Sequence, residues 1–166
     1  MKYHYKEHIV KKHKKASIFL WMIPLACIAI IYFSFGLSIV SGPSMEPTLK
    51  DGETLIIRKA MASQYCKCGD IAVIAPSDQA NTYLIKRIIA IGVDKVTVRD
   101  GAVWVNGKAL KESYLPPEAT TEGNFQEVIV PQGEIFVLGD NREESTDSRE
   151  LGCFSQKDIF GIVLWK

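Results

Sequence analysis

A serine, a lysine and a charged block that carries further serines are the residues of this chain whose types and spacing could do chemistry. Ser44 lies in Gly42-Pro43-Ser44-Met45-Glu46-Pro47-Thr48, where two prolines stiffen the backbone on either side of it. Lys86 lies in Tyr83-Leu84-Ile85-Lys86-Arg87-Ile88-Ile89-Ala90-Ile91, an otherwise mostly apolar stretch. The third motif is Gly139-Asp140-Asn141-Arg142-Glu143-Glu144-Ser145-Thr146-Asp147-Ser148-Arg149. A serine hydroxyl needs a base to take its proton as it attacks a carbonyl. Histidine is the usual base, but His4, His8 and His13 all precede a long uncharged segment. A lysine can replace it only as the neutral amine, so its ordinary pKa of about 10.4 has to fall, and burial beside isoleucine and leucine lowers it by up to several units. A neutral amine can accept the hydroxyl proton and return it to a leaving nitrogen, so one lysine serves as base and acid. A strand lysine by itself is commonly a solvated side chain. The two neighbouring motifs single out Lys86.

The elements that must position these residues are short strands. Thr54 to Arg58, Asp70 to Ala75, Tyr83 to Ile91, Lys95 to Arg99, Ala102 to Asn106, Glu127 to Val130, Glu134 to Leu138 and Gly161 to Trp165 are rich in β-branched and aromatic residues. Asp51-Gly52, Gly69-Asp70, Asp100-Gly101, Asn106-Gly107 and Gln132-Gly133 supply turns between them. Val96 to Gly107 reads as a hairpin with apolar residues alternating on both arms. Tyr114 to Gly123, with Pro116-Pro117 and polar neighbours, breaks the pattern and is expected to be a surface loop. Within the lysine strand a period of two sets Leu84, Lys86 and Ile88 on one face and Ile85, Arg87 and Ile89 on the other. Asp140, Arg142, Asp147 and Arg149 are expected to form an internal bracket of ion pairs, because a polar turn placed against a buried lysine needs satisfied partners of its own.

The net charge of +1 hides a division. The first fifteen residues hold six lysines against Glu7, a local charge of +5 that leaves −4 for the rest. No residue from Ala16 to Met45 is charged, and 16–40 is overwhelmingly apolar. A helix needs about 20 apolar residues to cross a bilayer, more than the 7 to 15 or so usual in a cleavable leader. A basic block directly before such a run fits the positive-inside rule better than nucleic-acid binding. The organisation read from this is a cytoplasmic tail over 1–15, a single transmembrane anchor over 16–40 and an extracytoplasmic, mainly β domain of antiparallel sheet over 41–166. Ser44 is four residue steps beyond Val40, which places the serine within about 15 Å of the end of the span.

Cysteines stand at 27, 66, 68 and 153. Cys66 and Cys68 are too close in sequence for an unstrained ring, and a zinc site would lack a fourth ligand. Free thiols are expected, with a bond from Cys66 or Cys68 to Cys153 as the alternative.

Together the motifs resemble those of bacterial type I signal peptidases, the membrane-bound serine proteases that remove signal peptides from exported proteins. The resemblance covers nearly the whole chain, and its tail block, Gly139 to Arg149, is highly specific. It implies a signal-peptidase-like catalytic domain with a dyad of Ser44 as nucleophile and Lys86 as general base, and no metal or cofactor. It implies that Ser145 helps hold the lysine and that Asp147 and Arg149 brace the site. In this family shallow apolar subsites take small side chains at the first and third positions before the cut; Met45, Leu84 and Ile85 would line them, or serve as plain core. The partners implied are signal peptides and the lipid bilayer, with no nucleic acid.

The chain also departs from the family pattern. Some members carry a hydroxyl where this one has Gly42, which leaves the Ser44 N–H as the natural oxyanion donor. Ala90-Ile91-Gly92-Val93-Asp94 replaces a usual Gly-x-Pro-Gly-Asp turn. A large β insertion of Gram-negative members is absent, so the resemblance is to the compact Gram-positive type. The rival readings are a relative dedicated to pilin or to one secreted substrate, and an inactive membrane-bound binding module. Self-cleaving repressors with a serine and lysine pair are disfavoured, because they need a DNA-binding domain where this chain has an apolar span.

Overall fold

The structure, a computed structural model, describes residues 22–59, 61–76, 83–122 and 125–165. The chain divides into two compact units, Met1–Phe35 and Gly36–Lys166. In the first, the described residues form helix α1 over 22–34, with Met22, Leu25, Ile28, Ile31 and Phe33 all exposed. Among the described residues no helix is long and apolar enough to cross a membrane. The tail expected over 1–15, and the first part of the span expected over 16–40, lie outside the described residues. At its other end that span needs correction, because Phe35–Ile39 is a strand, β1. Large Phe35, Leu37 and Ile39 alternate there with small Gly36 and Ser38, a period of two that summed hydropathy conceals.

The second unit is built on antiparallel sheets. Strands β2 (Thr54–Arg58), β3 (Ile71–Ile74), β4 (Leu84–Ile91), β9 (Glu134–Leu138), β10 (Phe154–Ser155) and β11 (Ile159–Trp165) join β1 in a seven-stranded sheet of order β1-β2-β11-β3-β4-β9-β10. Strands β5 (Lys95–Arg99), β6 (Ala102–Val105), β7 (Lys108–Ala109) and β8 (Phe125–Ile129) form a second sheet of order β7-β6-β5-β8. The expected hairpin is β5 and β6, with Val98 opposite Val103. Asp100 and Gly101 turn it at φ of 54° and 74°, the left-handed pair that a tight hairpin requires. Strands β1, β7 and β10 and the single-turn helix α2 (Ser148–Leu151) were not legible as elements, being short or hidden in apolar or charged runs.

Strand β4 is central, lying between β3 and β9, and five consecutive residues from Lys86 to Ala90 are buried. Its pleat sorts side chains as the two-residue period demands. Leu84 and Ile88 join Ala72, Ile74, Val137 and Ile162 in one core cluster, whereas Ile85 packs with Val73, Leu55 and Ile57 in another. A bulge between Ile88 and Ala90 then breaks the alternation, so that Ile89 and Ala90 both enter a third cluster with Phe136, Leu138, Val96 and Val103. Each large side chain so buried contributes about 1.5 to 3 kcal/mol.

The turn after β4 shows what the altered motif does. Val93 takes φ 69°, a left-handed value rare for a β-branched residue, where the family pattern has glycine. Asp94 holds the turn, its Oδ2 accepting from Ile91 N and its Oδ1 from Asn106 Nδ2.

Candidate active site

The Ser44 loop is anchored at both ends and faces the cleft in its middle. Val40 N donates to Glu53 O, Gly42 N to Asp51 Oδ1, Glu46 N to Pro43 O and Leu49 N to Met45 O. Met45 and Leu49, each 1% exposed, sink into the cluster formed with Val40, Leu55 and Ile57. Burying Met45 fixes its neighbour Ser44, which stays partly exposed. Gly42 adopts φ 91°, and a Cβ there would meet nothing within 4 Å, so conformation rather than crowding by the protein calls for glycine. Among the described residues the Ser44 N–H has no acceptor, whereas its carbonyl accepts from Asn141 N at 3.0 Å. That bond ties the serine loop to the charged block nearly a hundred residues later.

Lys86 Nζ donates to Ser44 Oγ at 2.8 Å. The lysine is 4% exposed and sits opposite Ala72 in the β3 and β4 ladder. Burial pushes its amine below the ordinary lysine value; the Asp147 carboxylate works in the opposite direction, and the Arg149 guanidinium adds to the lowering. Once the amine is neutral, the same contact can run in reverse, with the hydroxyl donating to nitrogen. A partly exposed serine within hydrogen-bond reach of a buried amine, with no acceptor on the serine N–H among the described residues, has the parts that acyl transfer needs.

Of the internal bracket expected in the charged block, only the Asp147 and Arg149 pair forms inside it, whereas Asp140 and Arg142 pair with Arg87 and Glu112 outside it. Asp147, fully buried, caps α2 and accepts from Gly139 N, from Ser145 Oγ, and from the backbone and guanidinium of Arg149. Arg149 Nη2 also donates to the carbonyls of Arg142 and Ser145. The Ser145 hydroxyl is thus directed to Asp147, and no hydrogen bond joins it to Lys86 among the described residues. Gly139 is a site residue that the sequence reading did not single out. A Cβ on it would fall 2.1 Å from Ser145 Oγ and 2.5 Å from Ser44 O, so only glycine lets the two serines pack at this spot.

Arg87, on the face opposite Lys86, makes a bidentate pair with buried Asp140 and donates to Gly69 O. Its guanidinium stacks 3.8 Å from the centre of the Tyr114 ring. Arg142, also buried, donates to Gly139 O, Glu112 and Thr121 Oγ1. Tyr114 donates to Glu112 at 2.6 Å, and burial, with that contact, pushes its phenol up. The segment expected to be a surface loop from Tyr114 therefore needs correction. It is irregular, but it turns Tyr114 and Thr121 inward, because the two buried guanidiniums need partners that the block alone does not supply. Glu112 and Thr121 carried no sequence signal, since their role exists only through contact with Arg142.

A cleft of about 280 Å³ opens beside the Ser44 and Lys86 pair, lined by Ile39, Val40, Met45, Tyr83, Leu84 and Ile85. The three apolar residues expected at subsites all reach it, Met45 as a core residue as well. All four cysteines are free thiols, and burial raises the pKa of Cys66, Cys68 and Cys153.

An antiparallel β domain that brings a serine against a buried lysine is compatible with a serine hydrolase, and comparison with known proteins gives the family. Residues 13–166 match the family described as Signal peptidase, peptidase S26. The chain belongs to this family of serine endopeptidases. It is 35% identical over 165 residues to Signal peptidase I of Bacillus licheniformis, covering 90% of this chain and 88% of the relative. It is 32% identical over 178 residues to Signal peptidase IB of Staphylococcus aureus strain COL, covering 92% and 90%. A crystal structure of a signal peptidase I from Enterococcus faecalis V583 superimposes with a TM-score of 0.52 at 30% identity, covering 60% of this chain and 97% of that one.

Proposed function

We propose that the chain is a membrane-anchored endopeptidase that removes signal peptides from exported preproteins after small residues, with Ser44 as nucleophile and Lys86 as general base. The observation that carries this reading is the 2.8 Å hydrogen bond between Ser44 Oγ and an amine only 4% exposed. Ser44 Oγ attacks the scissile carbonyl as its proton passes to neutral Lys86, and the oxyanion is held by the Ser44 N–H. Lys86 then hands the proton to the leaving amine, and water attacks the acyl ester by the same route in reverse. Asp147, Arg149 and Gly139 position the tail block against the serine loop. Ser145 acts through Asp147, and Met45, Leu84 and Ile85 receive the small side chains before the cut.

The anchor is the apolar run 16–34, which at 1.5 Å per residue spans about 28 Å, close to the hydrocarbon thickness of about 30 Å. Two features support it: the helix over 22–34 exposes large apolar side chains on all sides, and the residues before 16 are basic. In this arrangement 1–15 is cytoplasmic and the β domain faces outward.

Preprotein processing by Ser44→Ala and Lys86→Ala in membranes tests the dyad. Both should lose at least about a thousandfold in kcat/KM while keeping the parent's circular dichroism. Parental rates in either variant would remove the residue from the mechanism.

A further inference from the structure

A second cleft, of about 360 Å³, adjoins the serine loop. Its wall includes Glu46 and Pro47, Asn141 and Glu143 of the charged block, and Glu118 of the inward-turning loop. The segment 44–46 is a shared rim, for Ser44 and Met45 line the apolar cleft and Glu46 lines this one. Glu46 is two Cα steps from Ser44, so their Cα atoms lie within about 7.6 Å. Asn141, which lines the cleft, also donates its backbone N–H to the Ser44 carbonyl.

The cleft is acidic in a particular way. Asp140 is neutralised by Arg87 and Arg142 by Glu112, and both pairs are buried or nearly so. Glu46, Glu118 and Glu143 are exposed and have no ion pair among the described residues. The cleft therefore presents three uncompensated carboxylates to whatever enters it.

A peptide whose carbonyl sits at Ser44 Oγ must leave the site in two directions. If the apolar cleft receives the residues before the cut, as the proposed function holds, the chain after the cut needs a separate path. An extended strand covers about 3.3 to 3.6 Å per residue, so the second to fourth residues beyond the scissile bond reach past Glu46. We propose that this cleft binds the first residues of the mature protein and favours lysine or arginine among them. It is thereby a specificity site, resting on the proposed function but separable from it.

The test uses the full-length protein in detergent with paired peptides, identical up to the cut and carrying lysine or glutamate at the third residue after it. At low salt the lysine peptide should be cut with about fivefold higher kcat/KM, the size expected of a few exposed ion pairs. The ratio should fall towards one in about 1 M salt, where the screening length is about 3 Å. Glu118→Lys combined with Glu143→Lys should invert it. A low-salt ratio of one or less in the parent overturns the inference, as does a ratio that ignores both salt and charge reversal. The parent's own salt dependence decides the matter if the double variant does not fold. Cleavage surviving in a parallel Ser44→Ala sample would instead sink the proposed function.

Discussion

Gly139→Ala isolates the contact that registers the charged block against the serine loop. Gly139 does not take a left-handed φ, so alanine suits its backbone and the whole penalty is steric. The added methyl would lie 2.1 Å from Ser145 Oγ, 2.4 Å from Ser145 Cβ and 2.5 Å from Ser44 O, against an ordinary contact of about 3.5 Å or more. Relief requires a shift of about 1 Å shared between the two segments. Overpacking of this kind costs about 1 to 3 kcal/mol of stability, and a 1 Å misplacement of a reacting group costs roughly a hundredfold in rate. The variant should therefore keep its fold, lower its denaturant midpoint and lose roughly a hundredfold in kcat/KM on a signal-peptide substrate. Adding Ser145→Gly removes two of the three clashes and should recover part of the lost stability. Parental activity and stability in Gly139→Ala would refute the claim that the Ser44 carbonyl is held in place across this glycine.

The remaining predictions concern charge and strain. Because burial holds the Lys86 amine below its ordinary 10.5, kcat/KM should rise with pH through one ionisation under that value, and a flat profile from about pH 5 to about pH 9 would contradict the amine base. The same depression has a stability consequence. Between the folded and unfolded pKa values the unfolded chain binds more protons, so the penalty is complete below the folded value and fades as pH rises towards 10.5. Lys86→Met should lack that slope in pH-dependent urea denaturation, and a slope identical to the parent's would count against burial of the charge. Asp147→Asn leaves Arg149 without its buried partner and should cost about 3 to 5 kcal/mol, whereas a loss under about 1 kcal/mol would mean that the pair is solvated. Val93→Gly exchanges a left-handed valine, strained by about 1 to 2 kcal/mol, for a glycine that loses about 0.5 to 1 kcal/mol more backbone entropy. A gain of up to about 1.5 kcal/mol is expected, and a clear loss would show that the turn carries no such strain.

Local chemistry written into the sequence determined much of this protein. β-branched runs cut by Asp-Gly and Asn-Gly turns specified most of the strands, since pleat and turn preferences act between residues close in the chain. The two-residue period around Lys86 likewise told which neighbours share its face. Hydropathy did not reveal that Phe35–Ile39 leaves the helix for a sheet, because its partner strand lies elsewhere in the sequence. Nor could residue types show that Gly139 separates two serines, that Glu112 and Thr121 satisfy Arg142, or that Ser145 turns to Asp147. Those roles depend on ångström distances between segments up to a hundred residues apart, and such distances come into being only when the sheets close and the charged block packs against the serine loop.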